Sequence, residues 1–141
     1  MIHNPSRLYQ GSPDIIIAHR LRLIEWFLLK PLGEVWDVTI TSAYRSPQTQ
    51  AALTVAAKAK GISQHTLGEA VDIVPVGDMT KCYEWCLEYL RPWQALLEYA
   101  NGKPSCIHLS IPSSIETIVS KRLIFSVGVW TPYTGTFPVS A

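Results

Sequence analysis

A single carboxylate inside an apolar run constrains this chain more than any other feature. Asp72 lies within A-V-D-I-V (70–74), whose β-branched residues predict a buried strand. Burying a carboxylate among apolar side chains costs free energy unless it is paired or bound to a cation. His65 precedes it and His108 follows it, and a zinc site that does chemistry uses three protein ligands and leaves a fourth position open. The sequence therefore predicts a mononuclear zinc site at these three residues.

The composition excludes several classes of protein. The chain has 141 residues, of which 48% are hydrophobic and 16% are charged, so we expect one compact domain over residues 1–141. A net charge of +1 with scattered basic residues argues against nucleic-acid binding. Charged residues interrupt the apolar segment 15–29, so no stable membrane insertion is expected.

The N-terminus and the cysteines bear on the compartment. The first residues lack the basic start and apolar stretch of a secretory signal, which predicts synthesis in a cytoplasm. Three cysteines, an odd number, argue against a disulfide framework. Cys82 and Cys86 are four positions apart on a predicted helix, and we interpret them as a buried thiol pair rather than as a metal site or disulfide.

Hydrophobic periodicity and helix-start signals predict three helices. The first covers 14–30 and is expected to end at P-L-G (31–33). The second begins at a Ser46 cap followed by proline and is expected to end at Gly61. The third covers 78–89, with an aspartate cap.

Alternating or β-branched segments predict five strands. They cover 35–41, 69–74, 93–99, 105–111 and 122–130. The third and fourth are expected to form a hairpin, and residues 131–141 resemble a loosely held tail. Because helices and strands do not alternate regularly, the predicted fold class is α+β with a small central antiparallel sheet flanked by helices.

The alternation of side chains in the predicted hairpin separates His108 from the apolar face of its strand. With a turn centred near Lys103, Glu98 would lie opposite His108, within cross-strand contact. A carboxylate beside a metal-binding imidazole can serve as a general base. Taken singly, these residues have structural explanations: a hydrogen-bonded histidine, a paired Asp72, a solvated Glu98 and a surface Arg45. Their joint order along the chain favours a site.

Three segments together resemble one family of enzymes. They are T-S-A-Y-R-S-P (41–47), S-Q-H-T-L-G-E-A-V-D-I (63–73) and L-L-E-Y…C-I-H-L-S (96–110). In this order they are similar to the motifs of the zinc D-Ala-D-Ala carboxypeptidase and L-alanyl-D-glutamate endopeptidase family of peptidoglycan peptidases. The resemblance covers 39–111 and is strongest to small phage-type members without a separate wall-binding module. It implies the α+β fold shared with the signalling domain of Hedgehog proteins.

The resemblance also implies roles for single residues. One Zn²⁺ would be bound by His65, Asp72 and His108. Glu98 would be the catalytic carboxylate, since it precedes the last histidine within the hairpin. Arg45, in the Y-R-S element, would contact the substrate's carbonyl or carboxylate and help to stabilise the oxyanion.

The remaining implied contacts include two departures from the family pattern. Ser63 and Gln64 would line the substrate cleft. Some members carry the base three residues before the last histidine, but Ser105 occupies that position here, which leaves Glu98 as the candidate. Cys106 stands where relatives often have tryptophan or histidine, and it would form part of the cleft wall.

The implied activity is hydrolysis of an amide bond in peptidoglycan stem peptides, of the D-Ala-D-Ala carboxypeptidase or L-Ala-D-Glu endopeptidase type, by a monomer. Without a signal peptide, such an enzyme would act on the cell wall after release from the host cytoplasm, or be carried in a virion. This setting suggests a phage or prophage lysis enzyme. The alternative is a zinc-bearing binding or structural module of the same fold with weak or no catalysis.

Overall fold

One mixed sheet forms the centre of the molecule. The computed structural model describes residues 1–53 and 63–138, and within these ranges seven strands pair into a single sheet. The strands are β1 (Ile2–His3), β2 (Val38–Ser42), β3 (Ala70–Pro75), β4 (Gln94–Ala100), β5 (Lys103–Ser110), β6 (Lys121–Ser126) and β7 (Val129–Pro132). Their order across the sheet is β1-β2-β3-β5-β4-β6-β7.

The pairing of these strands confirms the α+β class and corrects the sheet. The β1–β2 and β4–β6 pairs are parallel, and the other four pairs are antiparallel. The sheet is therefore mainly antiparallel, as expected, but it is larger than predicted and includes two parallel pairs. The sequence did not predict β1, because a strand of two residues carries no periodicity.

Short helical segments accompany the sheet. They are α1 (Ile15–Ile24), a π-helical turn (Glu25–Leu29), α2 (Lys30–Val35), α3 (Pro47–Ala51), α4 (Met79–Trp85), a second π-helical turn (Cys86–Leu90), and 3₁₀ turns at Pro5–Tyr9 and Gln64–Leu67. The two predicted caps, Ser46 and Asp78, are confirmed, since each side chain accepts a backbone N–H of the following turn. Asp14 caps α1 in the same way. The predicted end of the second helix at Gly61 lies outside the described residues.

The first helix does not end at Pro31, which corrects the prediction. In the π-helical turn before it, the Lys30 N–H donates to the carbonyl of Glu25 rather than to the residue four positions back. Pro31 then falls in the first turn of α2, a position where its missing N–H is tolerated. Helical structure therefore continues to Val35, and β2 begins at Val38 instead of 35.

Residues 122–130 form a hairpin and not a single strand. Val127 and Gly128 have φ of 52° and 75°, the positive values that two-residue hairpin turns require. The residues that follow, expected in a loose tail, continue β7 as far as Pro132. Beyond them the ring of Tyr133 packs edge-on against Tyr83 in α4, with centroids 5.4 Å apart.

The hydrophobic core lies between the helices and one face of the sheet. Its largest fully buried side chains include Leu21, Ile24, Ile73, Tyr83, Leu97 and Ile107. Because strand side chains alternate, the even-numbered residues of β3, β4 and β5 point away from this core. That second face, here called the site face, carries Asp72, Glu98 and His108, and the predicted separation of His108 from its apolar neighbours is confirmed.

Cys82 and Cys86 are both buried and free, which confirms a buried thiol pair.

Among the described residues, no helix combines the length and the apolar character needed to cross a bilayer.

Candidate metal centre

The turn of the β4–β5 hairpin determines which residues lie beside His108. Asn101 and Gly102 form the turn with φ of 54° and 76°, as in a type I′ hairpin, so its centre precedes Lys103. A bulge directly after Glu98 shifts the register again. The pairing assumed from the sequence is therefore displaced.

In the observed register Leu96 lies opposite His108, and Glu98 lies opposite Cys106. This corrects the predicted pairing of Glu98 with His108. The two residues still share the site face as diagonal neighbours, a relation in which Cα atoms are about 7–8 Å apart and long side chains remain in reach of each other.

The three predicted metal ligands converge on the site face. His65 Nε2 lies 3.2 Å and His108 Nδ1 lies 3.0 Å from the same oxygen, Oδ1 of Asp72. One ligand atom from each residue lies within 4.8 Å of the others. Tetrahedral zinc with bonds of about 2.0–2.1 Å places its ligand atoms about 3.3 Å apart, close to the two short separations. The three residues could hold a metal ion.

His65 is oriented by a backbone carbonyl. It lies in the 3₁₀ turn Gln64–Leu67, which begins with the Ser63 hydroxyl accepting the His65 N–H at 3.2 Å. Its Nδ1 is 2.7 Å from the carbonyl oxygen of Ala43. With the Nδ1 proton donated there, Nε2 keeps its lone pair for a metal on the Asp72 side. No sequence pattern could identify this partner, since every residue has a carbonyl.

The end of the same turn depends on Gly68. Its φ is +70°, and a Cβ at this position would lie 2.6 Å from Cγ2 of Ile17 in α1. Neither the backbone conformation nor the space admits another residue without strain. Arg20, one turn further along α1, donates to the carbonyl of Leu67 at 2.9 Å. Helix α1 therefore supports the turn that carries His65.

His108 is less completely paired. Its Nδ1 faces Asp72, whereas its Nε2 is buried and has no hydrogen-bond partner within the described part of the chain. The carbonyl of Ala43 fixes the tautomer of His65. Among the described residues, no acceptor does the same for His108.

The charge of Asp72 is set by its neighbours. Burial pushes the pKa of Asp72 upward, but the charges and hydrogen bonds of His65 and His108 outweigh burial and hold that pKa well below its usual range. Arg45 adds a contact from Nη2 to Oδ2 at 3.4 Å. The carboxylate therefore stays ionised at neutral pH, which is the form a metal requires.

Arg45 connects three parts of the centre. Its Nε donates to Ser42 Oγ at 3.0 Å, its Nη1 to Gln50 Oε1 at 3.3 Å, and its Nη2 to Asp72 Oδ2. Its backbone N–H also donates to the carbonyl of His65 at 3.1 Å. The sequence predicted a substrate contact, whereas these bonds show the guanidinium holding the carboxylate of a candidate ligand.

We expect Arg45→Gln to weaken zinc binding about 10- to 100-fold, the usual effect of removing a group that orients a metal ligand. Competition with a chromophoric chelator would measure the affinity. Arg7→Gln, which removes an exposed guanidinium, is the matched control. Unchanged zinc affinity combined with a raised KM would instead support the predicted contact between Arg45 and the substrate.

Ser63 and Gln64, which are predicted to line the substrate cleft, belong to a buried hydrogen-bond network. Both are buried, and Gln64 is only 4% exposed. Gln64 Nε2 donates to the carbonyl of Ile111 at 3.2 Å and to Oε1 of Glu69 at 3.4 Å. Glu69, a buried carboxylate that sequence reasoning passed over, also accepts from Ser113 Oγ at 2.7 Å. These bonds stabilise the region around the 3₁₀ turn.

Glu98 and Cys106 form a hydrogen-bonded pair next to the candidate ligands. The thiol of Cys106 donates to Oε2 of Glu98 at 3.1 Å. Burial raises the pKa of the Cys106 thiol above its usual range, and the nearby charges of Asp72 and Glu98 raise it further. The thiol therefore stays protonated and neutral, and Glu98 keeps its acceptor oxygens on the site face.

Comparisons with known proteins do not assign this chain to a class, so the class is described from its fold and its site. No protein-family model matches the chain, and no match is found among curated proteins or solved structures. What the structure defines is an α+β protein with a mixed seven-stranded sheet across its described residues. On the site face of that sheet, two histidines and one aspartate form a candidate metal centre.

Proposed function

We propose that this protein is a zinc-dependent peptidase that hydrolyses an amide bond in peptidoglycan stem peptides. The observation that carries the proposal is the convergence of two imidazoles on one carboxylate oxygen, with Glu98 on the same face of the sheet. The motif segments 41–47, 63–73 and 96–110 are also adjacent in space, because β2, β3, β5 and β4 are consecutive in the sheet. This adjacency supports a Hedgehog/DD-peptidase-like arrangement.

The donor set suits zinc. Two imidazole nitrogens and one carboxylate oxygen are typical zinc donors, and three protein ligands leave one coordination position for substrate or water. When bound, zinc would polarise the scissile carbonyl and lower the pKa of a bound water to about 7.

Glu98 is the general base and acid in this proposal. Its carboxylate takes a proton from the attacking water and delivers it to the leaving amine. The neutral thiol of Cys106 holds one carboxylate oxygen, so the other is available to the water.

Arg45 positions the carboxylate of Asp72 in the same scheme. By occupying Oδ2, the guanidinium directs Oδ1 toward the two imidazoles and favours binding through a single oxygen. A carboxylate that binds through one oxygen leaves more of the coordination sphere open to the substrate.

The resemblance of the motifs to small phage-type enzymes supports a role in lysis or cell-wall penetration. In that setting the protein acts as a monomer on the bacterial cell wall, after release from a host cytoplasm or from a virion.

Purified cell walls provide the direct test. We expect incubation with the protein to release new amino groups, a chelator to abolish the release, and added zinc to restore it. Mass spectrometry of the soluble fragments would identify the bond that is cut. Release that persists in a strong chelator would refute the metal mechanism.

A metal-bearing binding module is the second candidate, and the pairing of Glu98 with Cys106 favours it. A base held by a thiol, opposite Cys106 instead of His108, is displaced from the position that the motifs suggested. Sedimentation with cell walls that yields no new amino groups would support this candidate over the peptidase.

A further inference from the structure

The site face continues beyond the metal centre into an aromatic surface. In the observed register Cys106 pairs with Glu98, Glu98 with Phe125, and Phe125 with Trp130. Directly paired residues of neighbouring strands point to the same side of a sheet. Phe125 and Trp130 therefore lie on the site face, in the same row as the proposed general base.

These two residues, here called the aromatic platform, are not part of the core. Their rings are 4.7 Å apart at an angle of 44°. Trp130 is 42% exposed and Phe125 is partly exposed, whereas Ile124, which precedes Phe125 and faces the core, is buried. An exposed aromatic pair beside a polar site is typical of a surface that binds a ligand.

The distance from the general base to the platform limits what can span it. Adjacent strands are about 4.7–4.9 Å apart, so the platform extends from about 5 Å to about 10 Å from Glu98 across the sheet. An extended peptide advances at most about 3.3–3.6 Å per residue. Only about one to three residues can therefore separate a scissile amide at Glu98 from a group on the platform.

We infer that the aromatic platform binds a sugar ring of the glycan strand that carries the stem peptide. This inference rests on the proposed function. The alanine and glutamate residues of a stem peptide offer small or charged side chains and no flat apolar face. A pyranose ring does offer one, because its axial C–H groups can pack on an aromatic ring while its hydroxyls remain in water.

The short span also bears on the bond that is cut. A sugar on the platform places the first peptide bonds of the attached stem at Glu98. The L-Ala-D-Glu bond, one residue from the glycan, fits this distance. A terminal D-Ala-D-Ala bond lies several residues further away, and it would leave the platform without its sugar.

Two substrates with the same stem peptide test the platform, one carrying its disaccharide and one without sugar. We expect Trp130→Ala to lower the ratio of kcat/KM for the sugar-bearing over the sugar-free substrate about tenfold, through a higher KM. Phe125→Leu, which keeps an apolar side chain but removes the flat ring, should lower the ratio in the same direction. Trp26→Ala, which removes an indole that is 61% exposed on the helical side, is the matched control and should leave the ratio unchanged.

A binding experiment separates failure of the platform from failure of the proposed activity. The disaccharide alone should perturb the indole N–H resonance of Trp130 in the intact protein, and Phe125→Leu should weaken that response. A disaccharide response without any hydrolysis of either substrate would retain the platform and overturn the peptidase. An unchanged ratio in Trp130→Ala, no response to disaccharide, or a self-association that this substitution abolishes would each overturn the platform.

Discussion

Glu98→Gln is expected to reduce kcat for amide hydrolysis by roughly 10²- to 10⁴-fold, the usual contribution of a positioned general base. The substitution preserves the size of the side chain and leaves a carbonyl oxygen that can accept the Cys106 thiol. It removes only the ability to take a proton from water. Because Glu98 is not among the candidate ligands, the zinc content should stay near one ion per chain.

For Glu98→Gln, kcat would be measured with a defined muropeptide, and the zinc content would be measured by elemental analysis. Glu34→Gln makes the same chemical change at an exposed position on α2, and it should match the unmodified protein. Near-normal turnover in Glu98→Gln would remove this residue from catalysis. Loss of zinc together with activity would show that Glu98 supports the centre instead of performing a step.

Local chemistry made the helix starts predictable. Asp14, Ser46 and Asp78 each supply an oxygen for a free N–H in the first helical turn, and such caps depend on only a few residues of sequence. The continuation of the first helix past Pro31 could not be predicted in the same way. It depends on a π-helical turn, which no composition signal in that segment marks.

Register was harder to predict than the existence of strands. Asn101-Gly102 is the dipeptide most typical of a two-residue hairpin, so the position of the turn does have a signal in the sequence. The bulge after Glu98 has no comparable signal in the sequence. Together the turn and the bulge decide that Cys106, and not His108, lies opposite Glu98.

The candidate ligands could be predicted because a buried carboxylate requires partners, and two of the four histidines, His65 and His108, lie in the motif segments. Their supports could not be predicted. The carbonyl of Ala43 and the contact between Arg45 and Asp72 arise only when β2 and β3 pair. Motif spacing identifies the groups that carry the chemistry, whereas tertiary pairing supplies the groups that orient them.

Asp72→Asn is expected to abolish stabilisation by zinc. In the unmodified protein, zinc at 100 times its Kd should add about 2.7 kcal/mol to the free energy of unfolding, a rise in Tm of about 10 °C for a chain of this size. Asparagine keeps the shape of the side chain but removes the negative charge that His65, His108 and Arg45 surround. With a neutral amide oxygen in place of a carboxylate, the affinity for a divalent cation should fall by orders of magnitude.

Thermal unfolding with and without zinc measures this effect for Asp72→Asn. Asp78→Asn is a suitable control, because asparagine also caps a helix well and α4 should keep its start, so the rise in Tm with zinc should be retained. A full rise in Tm for Asp72→Asn would mean that the cation binds elsewhere. Asp72 would then serve only as a hydrogen-bond partner of the two imidazoles, and the proposed zinc mechanism would be contradicted.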